Sequence, residues 1–222
     1  NSNGMNYFRS GGYGTVTGIQ LRGLPKRYST VYIDGVKMSD PSTSDNSFYF
    51  SNIMANSIEN VEILKGSNSS IYGSSAIGGV INIFTKKGNL KEKNINVSTG
   101  SNGTKNIDLS IGDYYGNHSY YLGFNKFNTN GISAMNDEKD TNDDDSYKNE
   151  SLIANYSYQL SENNNLKGSL RYSDSFLNYD EVTSGRTDSN NSTDDDEISY
   201  NLMFISKKNK SNNTFSYNYT GI

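Results

Sequence analysis

The chain has no cysteine, no tryptophan, two prolines and one histidine in 222 residues. Without cysteine it forms neither disulfides nor thiolate metal sites. With a single imidazole, a Ser/His/Asp triad or a zinc centre would need unusual arrangements, and His118 is read as a residue of a short turn. Aliphatic side chains are also scarce, since hydrophobic residues make up only 32%, below the share usual for a water-soluble globular chain. No apolar run approaches the roughly 20 residues that a spanning helix requires. A membrane is not thereby excluded, because a spanning strand carries its apolar residues at alternate positions only. Basic charge is too thin for nucleic acid: 20 Lys+Arg against 24 Asp+Glu leave a net charge of -4, with no basic stripe. Asn1-Ser2-Asn3 is not a basic segment followed by an apolar one, so no signal peptide is visible.

What the chain does have is tyrosine and alternation. There are 18 Tyr and 9 Phe, and tyrosine suits a strand surface that meets lipid headgroups, because its ring is apolar and its hydroxyl stays wet. Beyond Gly88 the apolar residues recur with period two. Seven stripes result: Ile95/Val97, Ile107/Leu109/Ile111, Tyr120/Leu122/Phe124, Leu152/Ala154/Tyr156/Tyr158/Leu160, Leu166/Gly168/Leu170/Tyr172, Ile198/Tyr200/Leu202/Phe204 and Phe215/Tyr217/Tyr219. Polar residues such as Lys167, Ser169 and Arg171 interleave them. Such stripes face a core in a soluble sandwich and face lipid in a barrel. Short links near 112–117, 161–165 and 207–213 alternate with long ones near 128–150 and 174–197, the asymmetry of periplasmic turns and extracellular loops. The short hairpin at Ser101-Asn102-Gly103 breaks that rule.

The first 88 residues read differently. Ile19-Gln20-Leu21-Arg22-Gly23 alternates and stops at glycine, and Thr30-Val31-Tyr32-Ile33-Asp34-Gly35-Val36 does so around an Asp-Gly turn. Ile58-Glu59-Asn60-Val61-Glu62-Ile63-Leu64-Lys65-Gly66 is a strand that leaves at a turn. Gly73, Gly78 and Gly79 then surround a small-residue run, where glycine permits close backbone approach. A buried strand, Val80-Ile81-Asn82-Ile83-Phe84, ends at Thr85-Lys86-Lys87-Gly88, which marks a domain boundary. Over about residues 11–88 these motifs, in this order, resemble the plug of TonB-dependent outer-membrane transporters.

The resemblance implies an α+β plug domain over 1–88, N-terminally truncated, and over 89–222 the first part of an antiparallel transmembrane β-barrel, about seven strands of the roughly 22 expected. The chain would then begin inside the plug and end in mid-pattern at Tyr219-Thr220-Gly221-Ile222. It further implies a monomeric, non-enzymatic importer in the cell outer membrane, with a TonB-type energy-coupling protein in the periplasm as partner. Its substrate would be a scarce small molecule such as cobalamin, a ferric siderophore or haem. A passive porin or an adhesin would explain the alternation but not the glycine-rich motifs.

Gly100-Ser101-Asn102, the Asp143-Asp144-Asp145 run and Asn178-Tyr179-Asp180 resemble the cobalamin-carrying branch of the family. That likeness implies calcium held by Asp143, Asp145, Tyr179, Asp180 and Asp188, ordering extracellular loops. The pattern departs at Ser133, where an acidic ligand would fall, and at Thr141, which replaces an amide. By charge patterning alone these acidic runs, and the one at Asp194-Asp195-Asp196-Glu197, read as the usual solvated loop surface. The same branch implies substrate contacts at Val16, Gly18 and Pro25 in one apical plug loop and at Thr43 and Ser44 in another.

Overall fold

The computed structural model describes residues 4–40, 43, 45–53, 55–67, 69–73, 75–133, 144–180, 191–208 and 211–221. The N-terminal part holds two sheets. Strands β1 (Met5–Arg9) and β2 (Thr17–Leu21) pair antiparallel. Strands β3 (Ser29–Ile33), β4 (Val36–Met38), β5 (Ile58–Lys65) and β6 (Gly79–Thr85) form a sheet of order β4-β3-β6-β5, in which only β3 and β6 run parallel. The β3–β4 hairpin turns on Asp34 and Gly35, with φ +51° and +86°, the two left-handed residues that a twist-matched two-residue loop requires. β6 is central, so its run Gly-Val-Ile-Asn-Ile is almost continuously buried. Leu21, Val31, Ile33, Val36, Ile81 and Ile83 make the centre of the core, and Ile63 of the edge strand β5 packs against it. Among the described residues helix is confined to one turn, α1 (Ser69–Tyr72), and the 3-10 turns Lys26–Tyr28, Phe50–Asn52 and Ala55–Ser57. The connecting segments are rich in Ser, Asn and Gly, which favour turns over helix.

The chain then enters a seven-stranded antiparallel meander: β7 (Glu92–Thr99), β8 (Lys105–Tyr115), β9 (His118–Thr129), β10 (Tyr147–Ser161), β11 (Asn164–Tyr179), β12 (Asn191–Lys208) and β13 (Ser211–Gly221). Register aligns the seven stripes into rows across one face, such as Leu109, Phe124, Leu152, Tyr172 and Ile198, and next to it Ile111, Leu122, Ala154, Leu170, Tyr200 and Tyr219. That face is turned to the outside and carries the exposed large apolar side chains. Beyond its first row it meets a charged row, Lys126, Glu150, Asp174 and Asp196, in which Lys126 and Glu150 pair at 2.5 Å. The opposite face is polar and nevertheless buried, for it holds Asn125, Asn149, Ser151, Asn155, Arg171 and Ser173. The N-terminal part lies against this polar face, as the hydrogen bonds of Thr85 with Asn155 and of Asn52 with Arg171 and Tyr147 show.

Two expectations from the sequence need correction. The second long connection is shorter than 174–197, because β11 continues to Tyr179 and β12 starts at Asn191. Asp194 to Glu197 therefore lie in a strand, with Asp195 and Glu197 turned inward and Asp194 and Asp196 exposed. Their backbones are laddered to Ser173–Phe176, and pairing overrides the poor strand propensity of aspartate. His118 is likewise not a turn residue. It opens β9 on the outer face, stacks on Tyr158 with centroids 4.5 Å apart and shares a 2.6 Å hydrogen bond with the Tyr156 hydroxyl.

The hand-off between the two parts is tightly specified. Gly88 has φ +72°, and a Cβ there would stand 1.9 Å from the Tyr120 carbonyl oxygen, so only glycine fits. Just before it, Asn155 of β10 donates to the Lys86 carbonyl at 2.7 Å and to Thr85 Oγ1 at 2.8 Å. Lys87 pairs with Asp34 at 2.5 Å, and Thr85 donates from its backbone N–H and its hydroxyl to the same carboxylate. Burial pushes the Lys87 ammonium below its ordinary value, against the pull of Asp34.

Candidate functional site

The plug meets the barrel wall around two chambers at the end of the sheet that carries the long connections. One, of about 570 Å³, lies between Val16, Thr43 and Tyr49 of the plug and the starts of β10 and β12. The other, of about 420 Å³, lies between Tyr7, Tyr13 and Phe50 of the plug and Asn106, Asn125 and Phe127 of the wall. Gly14, Ser51, Asn52 and Tyr147 line both.

Each lining group has a local reason for its place. Tyr147 is the first residue of β10 and points inward by strand alternation. Its ring lies against Gly14, where φ is +79° and a Cβ would come within 2.2 Å of the ring. The neighbouring Tyr13 packs on Phe127 with centroids 4.9 Å apart. An apical plug loop is thus pinned to the wall by aromatic contacts. On the opposite side, Lys26 reaches Asp45 at 2.7 Å and the Tyr49 hydroxyl at 3.2 Å, with its ammonium 4.5 Å from the centre of the Tyr49 ring. Burial alone would lower the Lys26 pKa, but Asp45 and Tyr49 outweigh it and raise it. Burial would likewise raise Asp45, and the hydrogen bonds from Lys26 and Ser47 hold it below the usual carboxylate range. This pair ties the loop of Pro25 to the loop of Thr43.

The charge balance of the larger chamber is one-sided. Asp40 and the Asp194–Glu197 segment line the larger chamber, and among the described residues no lysine or arginine does. On the wall, Arg171 is spent on Glu197 at 2.5 Å. In the smaller chamber Arg9 lies 5.2 Å over the Tyr13 ring, beside the side-chain amides of Asn52, Asn56, Asn106, Asn125 and Asn149. Such a surface offers stacking faces, amide donors and acceptors, and carboxylates. It can hold a neutral or cationic ligand rich in hydrogen-bonding groups.

The residues expected from the sequence are distributed as follows. Val16 and Thr43 line the larger chamber, and Thr43 donates from its hydroxyl to the Asp40 carbonyl at 2.8 Å. Pro25 is exposed at the start of the 3-10 turn Lys26–Tyr28. Gly18 is buried in β2 beneath the Phe8 ring. Ser44, Asp143 and Asp188 lie outside the described residues. Asp145 stands just before β10 and Asp180 just after β11, next to the point where Asn178 bonds Ser146 through both its backbone N–H and its side chain. The two carboxylates and Tyr179 therefore share one edge of the wall. Among the described residues, no group of three or more His, Asp or Glu side chains is arranged to hold a metal ion.

Asn52, Tyr147, Asn155 and the Lys26–Asp45 pair were not singled out from the sequence. Alternation marks Asn155 as inward-facing, but nothing in its neighbourhood indicates that it touches Lys86, 69 positions away. Asp45 lies 19 residues from Lys26, beyond any local spacing rule.

Comparison with known proteins places these features. The TonB-dependent Receptor Plug Domain family matches residues 1–80. The vitamin B12 transporter BtuB of Photobacterium profundum is 31% identical over 175 residues, which are 78% of this chain and 28% of that protein. BtuB of Vibrio vulnificus is 28% identical over 181 residues, 80% of this chain and 29% of that protein. The chain thus spans less than a third of the length of these relatives. In fold it is similar to the siderophore receptor PirA from Acinetobacter baumannii, with a TM-score of 0.71 at 18% identity over 98% of this chain and 36% of that one. Motif order, plug match and strand arrangement converge: residues 1–80 carry the plug domain of TonB-dependent receptors, and the antiparallel strands that follow are arranged as in a solved receptor of that kind.

Proposed function

We propose that this chain is part of an active importer of cobalamin across the outer membrane, powered by a TonB-type energy-coupling protein that acts on the plug from the periplasm. The observation that carries the substrate choice is the charge of the larger chamber. A ferric triscatecholate siderophore is a trianion, and placing it in the larger chamber beside Asp40, Asp195 and Glu197, where among the described residues no lysine or arginine lines the wall, would be repulsive. Cobalamin instead presents a ring system edged with amides, which suits tyrosine faces and asparagine side chains. Val16, Thr43 and Pro25 would contact it from the plug, together with Gly18 and Ser44 as the resemblance implies.

In a closed barrel the plug would stand in the lumen, so passage would require it to shift. Its attachment to the wall suits that need, because the contacts at Asn155, Lys87, Arg171 and Asn52 are polar and water can replace each of them. Calcium would be held by Asp143, Asp145, Tyr179, Asp180 and Asp188, all oxygen donors suited to a hard cation. It would supply positive charge that relieves carboxylate repulsion at the rim of the wall. The direct test is competitive binding to the full-length protein in detergent, in calcium and in chelator. Tight cyanocobalamin binding that weakens in chelator, with no displacement by ferric enterobactin, is expected. Preference for ferric enterobactin would overturn the substrate assignment.

A further inference from the structure

Asn52 ends the 3-10 turn Phe50–Asn52 and stands between the two chambers. Its Oδ1 accepts from the Tyr147 hydroxyl at 2.8 Å, its Nδ2 donates to Asp195 Oδ2 at 2.9 Å, and its backbone carbonyl accepts from Arg171 Nη2 at 3.2 Å. One plug residue is thereby fastened to β10, β11 and β12 at once. The geometry asks for an amide: the stem must be short, one terminal atom must accept and the other must donate. Aspartate would set a second carboxylate against Asp195, and leucine would leave the Tyr147 hydroxyl only the Ser51 carbonyl at 3.5 Å.

Its partners are themselves chamber wall. Tyr147 and Asp195 line the larger chamber, and Tyr147 also packs on Gly14 of the apical loop. A ligand that bonds to Tyr147 or Asp195 competes directly with Asn52 for the same atoms. We infer that Asn52 is the positioning residue through which occupancy of the chambers is transmitted to the plug, its bonds to Tyr147 and Asp195 holding the plug seated until a ligand takes over those groups. The inference rests on the import function proposed above.

The test uses the full-length protein in outer-membrane vesicles and in cells, comparing wild type, Asn52→Asp and the double variant Asn52→Asp/Asp195→Asn. The single variant places like charges together. The double variant exchanges donor and acceptor and restores the bond. Hydrogen exchange of plug amides 50–57 reads the seating without any ligand, and Asn52→Asp is expected to lose about tenfold in protection, as for a bond to a charged group. Because cyanocobalamin no longer has to displace these bonds, its affinity for Asn52→Asp should rise by a similar factor, and the double variant should recover wild-type protection. Wild-type protection in Asn52→Asp, no recovery in the double variant, or, where wild type binds cyanocobalamin, an affinity that does not rise would each overturn the inference. If wild type itself ignores cyanocobalamin while protection falls and recovers as described, the positioning role stands and the cobalamin assignment fails.

Discussion

Replacing Asn155 by leucine should loosen the plug where the chain passes into the barrel. The side chain is 3% exposed and makes three bonds to the junction: to the Lys86 carbonyl at 2.7 Å, to Thr85 Oγ1 at 2.8 Å, and from Lys87 Nζ at 3.3 Å. Leucine keeps the volume and loses all three. Thr85 retains Asp34 and Lys87 retains the same carboxylate, so the group left stranded is the Lys86 carbonyl. A buried carbonyl without a partner costs about 1–3 kcal/mol. The cavity of about 400 Å³ beside Asn155 admits water, which favours the middle of that range. A cost of about 2 kcal/mol corresponds to a ~30-fold rise in local opening. Hydrogen exchange of β6 and the residues up to Gly88 in the full-length protein would read it. A change under about threefold, or ~0.6 kcal/mol, would refute the view that this asparagine fastens the junction.

Further outcomes follow from other parts of the structure. Leu170→Arg should impair membrane assembly by about 2–4 kcal/mol if its row faces lipid, whereas Ser169→Arg points into the cavity of about 400 Å³ and should assemble; equal assembly of the two in heat-modifiability gels would contradict the facing. Ile81→Ala, at a fully buried position of the central plug strand, should cost about 2–5 kcal/mol in urea unfolding of the plug. The Lys26–Asp45 tie should be indifferent to pH across a wide window. Asp45 lies below its ordinary 3.8, so its contribution is complete above that pH and fades as pH falls through the lower folded value. Lys26 lies above its ordinary 10.5, so its contribution is complete below that pH and is lost as pH rises through the folded value. Exchange of loop amides near Thr43 that changes between about pH 5 and about pH 9 beyond the intrinsic chemical rate would contradict the pairing.

Much of the architecture was legible because its causes are local. The period-two stripes from Ile95 to Tyr219 become rows on one face, since alternation is fixed by strand geometry alone. The Asp34-Gly35 hairpin was readable because its left-handed pair admits few residue types. What escaped depends on partners far along the chain. Asp194 to Glu197 read as loop by composition and are strand, because β11 supplies the ladder. His118 read as turn by spacing, and its neighbours Tyr156 and Tyr158 lie across the sheet. Asn52 carries no local signal at all, as its partners are 95 and 143 positions away.

The measurement that bears most directly on energised cobalamin import is uptake of radiolabelled cyanocobalamin by cells expressing the full-length protein, with the energy-coupling protein present or deleted and ferric enterobactin as competitor. Accumulation that requires the coupling protein and is unaffected by the competitor is expected. Accumulation without the coupling protein would point to a passive pore, and no accumulation with it would contradict cobalamin as the cargo.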